Sequence, residues 1–189
     1  MRLFWKRGYE ATSVSDLTKA MGITPPSLYG TFGDKKRLFL EAVDRYLAGP
    51  GQFAQRALFE EPTAESAIRC LMMETIDSVC DPKNPKGCMV VLAATNCGTE
   101  SADVLRALAD RRRAGERAIR DRIAAGQAAG ELSAGADIDA LAGLVTTTIY
   151  GFSIKARDGA SRASLRKIAE QTMRLWRAEA RRDAGGSDG

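Results

Sequence analysis

A chain of 189 residues with 44% apolar side chains is long enough to bury a proper core. No window reaches the roughly eighteen consecutive apolar residues that a membrane span needs. Histidine is absent, which removes most familiar nucleophile–base pairs and most metal sites, and so argues against an enzyme. Net charge is +4, and it is uneven: residues 1–48 hold eight Lys/Arg against five Asp/Glu, while the rest hold twenty against nineteen. That excess in the first quarter hints at phosphate contact there.

In chain order, the opening Met1–Gly8 segment is a short helix with no apolar stretch long enough for a signal peptide, so a cytoplasmic protein is expected. Gly8 fits a left-handed C-terminal cap. Ser13 with Asp16 forms a near-capping box for a helix of about two turns, with Leu17, Ala20 and Met21 on its apolar face. Gly22 breaks it and Ile23 fills the corner. Thr24 is a good N-cap for the next helix, which Pro25 and Pro26 suit as opening residues. Leu28 and Phe32 anchor its inner side. Leu38, Phe39, Ala42, Val43, Tyr46 and Leu47 make a helical stripe that stops at Gly49-Pro50-Gly51.

Pro62-Thr63, with a loose Thr63–Ser66 capping box and Glu65 in the first turn, opens a helix carrying Ile68, Leu71, Met72, Thr75, Ile76 and Val79 inward. Residues 81–87, with two prolines and a glycine, are a loop. The apolar run Cys88–Cys97 reads as a buried helix, with a central strand as the alternative. Ser101 to about Ala125 is a long charged helix whose arginines are interleaved with acids, as on a solvated face. Asp137 caps a helix to about Ala156 that is apolar or small on more than one side. Ser161 or Ala160 opens the last helix, and residues 183–189 read as a frayed tail. No period-two pattern persists, so the fold class is all-α. Cys70, Cys80, Cys88 and Cys97 contain no C-x-x-C pair, so no structural zinc is expected and they read as small buried hydrophobes. No cofactor is called for.

Two short helices joined by a tight Gly-containing turn define a helix-turn-helix. The second, Pro25 to about Thr31, is roughly 10 Å long and suits a major groove about 12 Å wide. Its outward residues, Thr24, Pro25, Pro26, Ser27, Tyr29, Gly30 and Thr31, include no acid that would repel a duplex.

These residues resemble the TetR family of transcriptional regulators. The matching positions are Phe4, Gly8, Tyr9, Thr12, Ser13, Val14 and Leu17, then Ala20, Gly22 and Ile23, then Ser27, Leu28, Tyr29, Phe32, Lys35 and Leu38. The resemblance implies base contacts from Pro25, Pro26 and Ser15, and phosphate contacts from Ser13, Ser27, Tyr29, Thr31 and Lys35. Each has a plainer reading: Tyr29 as part of the core, Ser13 as a cap alone, Lys35 as a solvated lysine. The family's first helix normally extends further ahead of Phe4, so the resemblance implies either a start upstream of Met1 or a short first helix with reduced packing of the small domain. Gly30 stands where many relatives carry a larger residue.

The resemblance further implies a three-helix DNA-binding domain over residues 1–48 and a helical ligand-binding and dimerisation domain over 49–182. Its expected partners are a palindromic DNA operator, a second copy of the chain and a small apolar or weakly polar effector, with no membrane. Gly143, Thr147, Thr148, Gly151, Phe152 and Trp176 are the expected dimer interface, with closure of the protomer core as the alternative. Met72, Met73, Ile76, Val79, Met89, Leu92, Thr95, Asn96 and Tyr150 are the candidates for the effector pocket, with plain core packing as the alternative. Ligand binding is expected to splay two recognition helices from the spacing of about 35 Å that reaches successive grooves. A redox variant, with Cys80 and Cys88 closing a disulfide, and two other classes, a helical enzyme and an interaction adaptor, are the competing readings.

Overall fold

The computed structural model describes residues 1–95 and 97–181. The expected tail 183–189 and the candidate Asn96 therefore lie outside the described residues. The described chain is all-helical, without a strand. In order it runs α1 (Arg2–Arg7), α2 (Val14–Met21), α3 (Pro25–Phe32), α4 (Lys35–Leu47), α5 (Phe53–Glu60) and α6 (Ala64–Val79). Then follow α7 (Met89–Leu92), a 3-10 turn (Thr99–Ser101), α8 (Ala102–Ala128), α9 (Ile138–Arg157) and α10 (Arg162–Ala180). No helix among the described residues is long and apolar enough to cross a membrane.

Side chains set most of the helix starts. The Ser13 hydroxyl accepts from the Asp16 N–H at 3.0 Å, and the Asp16 carboxylate accepts in return from the Ser13 N–H at 3.0 Å. Thr63 and Ser66 form the same reciprocal box at α6. Asp34, Asp137 and Ser161 cap α4, α9 and α10 in one direction only, each side chain accepting from the N–H three residues on. Each satisfies helix-end donors that would otherwise lack partners.

Three local expectations change. Gly8 has φ 83 and ψ 174, a positive-φ turn but not the left-handed helical cap. The reason is a close approach: a Cβ there would sit 3.1 Å from the Ala93 carbonyl, which accepts the Tyr9 N–H at 2.7 Å. The apolar run from Cys88 supplies only the four-residue α7 before the chain turns at Ala93. A helix the sequence pattern did not single out, α5, lies between the Gly49–Gly51 break and α6.

The core has two parts. One is built from α5, α6, the later half of α8, α9 and α10, around Ile68, Met72, Ile76, Ile123, Phe152, Met173 and Trp176. The other joins Phe4, Trp5, Leu17, Leu28, Phe39, Val43 and Tyr46 to Met89, Val90, Ala93, Val104 and Leu108. A boundary at residue 48 thus cuts through the second core, because α7 and the start of α8 complete the small domain. Trp5 Nε1 donates to the Gly87 carbonyl at 2.6 Å in the same seam.

Candidate functional site

The α2–α3 pair has the geometry of a reading head. Gly22 adopts φ 69, ψ 29, the left-handed conformation that reverses the chain without a Cβ clash. Leu17 and Leu28 pin the two helices to the core beneath, with Leu28 fully buried. Thr24 caps α3 from outside, and prolines occupy its first positions, where no N–H is required. Ser13, Ser15, Thr24, Pro25, Pro26, Ser27, Tyr29, Gly30 and Thr31 are all exposed. Tyr29 is 48% exposed, which disposes of its reading as core. No acid stands in the first turn of α3.

Lys35, half-buried at the start of α4, lies with its ammonium 4.3 Å from the centre of the Tyr9 ring. The Tyr9 ring packs edge-on against Phe39 at 5.0 Å, so the aromatic core fixes where this charge sits. Burial is the first cause that raises the Tyr9 phenol above its ordinary value, followed by Glu10. Arg7 pairs with Asp16 at 3.1 Å, tying α1 to α2. The Asp16 carboxyl is held below the usual range, first by the Ser13 hydroxyl and then by the Ser13 N–H.

Beneath the head lies an apolar cavity of about 170 Å³, walled by α4 to α9. Tyr46 and Leu47 reach it from the end of α4, Leu58 from α5, Leu71 and Val79 from α6, Val91 from α7, Ile119 from α8 and Ile149 from α9. Of the pocket candidates, Val79 and Tyr150 line it. Met72 and Ile76 are fully buried in the larger core, and Met73 packs against that core. Met89 is fully buried in the smaller one. Leu92 lies against Gly87, and Thr95 is exposed on the loop after α7. The methionines thus fill space between helices rather than facing the void. Residues missed by the sequence pattern include Tyr46, Thr75, Val91, Glu116 and Thr146, drawn from segments too far apart for any local signal.

The cavity wall is braced. Tyr46 donates to the Cys88 sulfur at 3.4 Å, and burial pushes its phenol far above the ordinary value. Tyr150 donates to the Arg112 carbonyl at 3.3 Å, and the Arg112 guanidinium donates to the Val90 carbonyl at 2.9 Å. Two ion pairs clamp α4 to α8: Lys36 with Asp103, and Arg111 with Asp44 at 2.6 Å. All four cysteines are free, and burial raises the thiols of Cys70 and Cys97. No group of three or more Cys, Asp or Glu among the described residues is placed to hold a metal ion.

Of the expected interface residues, Phe152 and Trp176 are corrected: both are 1% exposed within a single protomer, because they are the large side chains that fill its core. Thr148 donates to the Leu144 carbonyl and lies 3.5 Å from the Thr172 hydroxyl, between α9 and α10 of the same chain. Thr147 is exposed, and Gly143 and Gly151 have open space where a Cβ would stand. Near them, Ile154 and Leu175 are 53% and 59% exposed.

An exposed, capped reader helix over a helical body that holds a mostly apolar pocket defines a one-component helix-turn-helix regulator of transcription. The chain belongs to the TetR family. The family model described as bacterial regulatory proteins, tetR family, matches residues 1–42, and the tetracyclin repressor-like C-terminal domain matches 64–172. It is 36% identical to the HTH-type transcriptional repressor ComR of Escherichia coli K12 over 177 residues, covering 93% of this chain and 84% of that one. The solved TetR family regulator CifR, a C99T-C181R mutant complexed with 26-bp operator DNA, is 39% identical with a TM-score of 0.90, covering 93% and 92%. A TetR regulator from Rhodococcus sp. RHA1 is 37% identical with a TM-score of 0.62, covering 96% of each chain.

Proposed function

We propose that this chain is a cytoplasmic repressor that binds a palindromic operator as a homodimer and leaves it when a small, apolar or weakly polar effector enters the cavity. The observation that carries the reading is the exposed face of α3, held at a fixed height by buried Leu28 and Phe39. Base readout is assigned to Ser15, Pro25 and Pro26. Phosphate contact is assigned to Ser13, Ser27, Tyr29, Thr31 and Lys35, with Thr24 and Gly30 at the same surface. The CifR relative, complexed with operator DNA, supports this assignment.

Dimerisation is assigned to the exposed small and apolar face of α9 and α10, where Gly143, Thr147 and Gly151 allow close approach and Ile154 and Leu175 supply apolar area. Release is assigned to α4. Its first half packs in the reader core and its last residues, Tyr46 and Leu47, line the cavity, so a ligand that displaces those side chains moves the reader as well. Selection of bound DNA from a random pool tests the reading: a palindrome whose affinity falls steeply with salt is expected. Failure to enrich any sequence overturns it.

A further inference from the structure

Positive charge collects at one place away from the α3 face and the cavity. Arg2 and Lys6 of α1, Lys86 of the loop after α6 and Arg157 at the end of α9 line a hollow of about 430 Å³. Several arginines of the body meet carboxylates: Arg162 and Arg166 share Asp77, and Arg177 holds Glu65. Among the described residues, no carboxylate pairs with Arg2, Lys6, Lys86 or Arg157. Asp81, in the same loop as Lys86, accepts from the Lys83 N–H and the Asn84 amide instead. Asp158, next to Arg157 in sequence, does not line the hollow. Neighbouring segments hold the cations in place. Arg2 donates to Asn84 Oδ1 at 3.1 Å and to the Lys83 carbonyl at 2.6 Å, Lys86 to the Cys80 carbonyl at 3.2 Å, and Arg157 to the Lys6 carbonyl at 3.3 Å. Lys86 and Arg157 keep further N–H donors beyond these bonds, and the exposed Lys6 ammonium keeps all of its own.

We propose that Arg2, Lys6, Lys86 and Arg157 form a binding site for a small phosphate-bearing anion, a diphosphate or a phosphate monoester. Cations gathered without a counter-charge repel one another, and backbone carbonyls offset only part of that, so an anion of more than one charge is favoured there. Phosphate suits this donor set, because guanidinium groups supply directed N–H pairs and ammonium groups compact charge. Arg2, Lys86 and Arg157 are already anchored, so binding costs little side-chain freedom. Donors converge from separate segments on a concave surface, which a small anion fills and the broad flank of a duplex does not. The site also spans the molecule. Arg2 and Lys6 lie on the helix that carries Phe4 and Trp5 into the smaller core, whereas Arg157 follows Ala156 of the larger. A bound anion therefore ties reader to body and stabilises the folded chain by linkage.

Inorganic pyrophosphate is the probe, titrated by calorimetry into the full chain at fixed ionic strength because salt screens such contacts. Lys6→Gln and Lys86→Gln each remove one charge-assisted hydrogen bond and are expected to weaken binding roughly tenfold. Lys19→Gln, at an exposed lysine of α2, is expected to leave it unchanged. At about ten times the measured Kd, pyrophosphate is expected to raise the wild-type melting point by about 3–6 °C, and the Lys6→Gln and Lys86→Gln chains should lose most of that shift. No binding to the wild type, equal affinity in all variants, or an equal loss in Lys19→Gln overturns the site. Weaker duplex binding in Lys6→Gln and Lys86→Gln, with pyrophosphate affinity unchanged, assigns the cluster to DNA and overturns it as well. The repressor reading is judged separately, by the selection of bound DNA.

Discussion

Single residues carry both the stability of the reading head and its grip. Ser13 satisfies two groups at the start of α2, so Ser13→Ala is expected to destabilise the chain by about 1 kcal/mol, measured by urea unfolding. Asp16 gives the same box a pH signature. Its carboxyl is held below the ordinary value, so its contribution is complete above the unfolded value and fades as pH falls through the folded one. Between about pH 6 and 3 the wild type should therefore lose more stability than Asp16→Asn, and equal losses would remove the box from the account. Lys35 is expected to act on affinity rather than folding: Lys35→Ala should weaken binding to every sequence and reduce the slope of log affinity against log salt by about 1. The thiols of Cys70 and Cys97, raised by burial, should react with iodoacetamide at neutral pH more slowly in the folded chain than in urea, because less thiolate is present.

At the scale of elements, the caps were legible from sequence and the cavity was not. Ser13, Thr24, Thr63, Asp137 and Ser161 announce their helices because capping is chemistry between residues three apart. α5 has no such signal: Gln52 makes no side-chain cap, and Gly49–Gly51 precedes it. The run from Cys88 is apolar because it is wedged between α1, α4, α8 and α9, not because it forms a long helix. Phe152 and Trp176 looked like interface anchors because sequence shows that a residue is buried, not by which copy of the chain. Gly30 is a different case, readable in position but not in consequence. It sits within α3, at ordinary helical φ, with nothing within 4 Å of where a Cβ would stand. Gly30→Ala should therefore stabilise the free chain by about 0.5–1 kcal/mol in thermal unfolding. A loss of stability would mean that α3 is not the unstrained helix described.

For the whole molecule, the consequence of a shared core is that reader and body should not fold apart. Phe4, Trp5 and Tyr46 are buried against Met89, Val90, Val104 and Leu108, which lie far along the chain. A reader without α7 and α8 would expose those aromatic faces to water and lose the Trp5 bond to the Gly87 carbonyl. Close packing at Gly87 leaves little room for adjustment: a Cβ there would stand 2.4 Å from Leu92 and 2.8 Å from the Ser153 carbonyl, at φ 81. The chain's two tryptophans report one core each, Trp5 the smaller and Trp176 the larger. In Trp176→Phe, fluorescence follows the reader core, and in Trp5→Phe it follows the body. Within each variant the fluorescence transition should coincide with loss of helical circular dichroism, as one cooperative unit requires. A reader that melts well before the helical signal falls would instead make residues 1–48 an independent domain. The ion pairs from α4 to α8 would then have to join reader and body without help from the seam at Gly87.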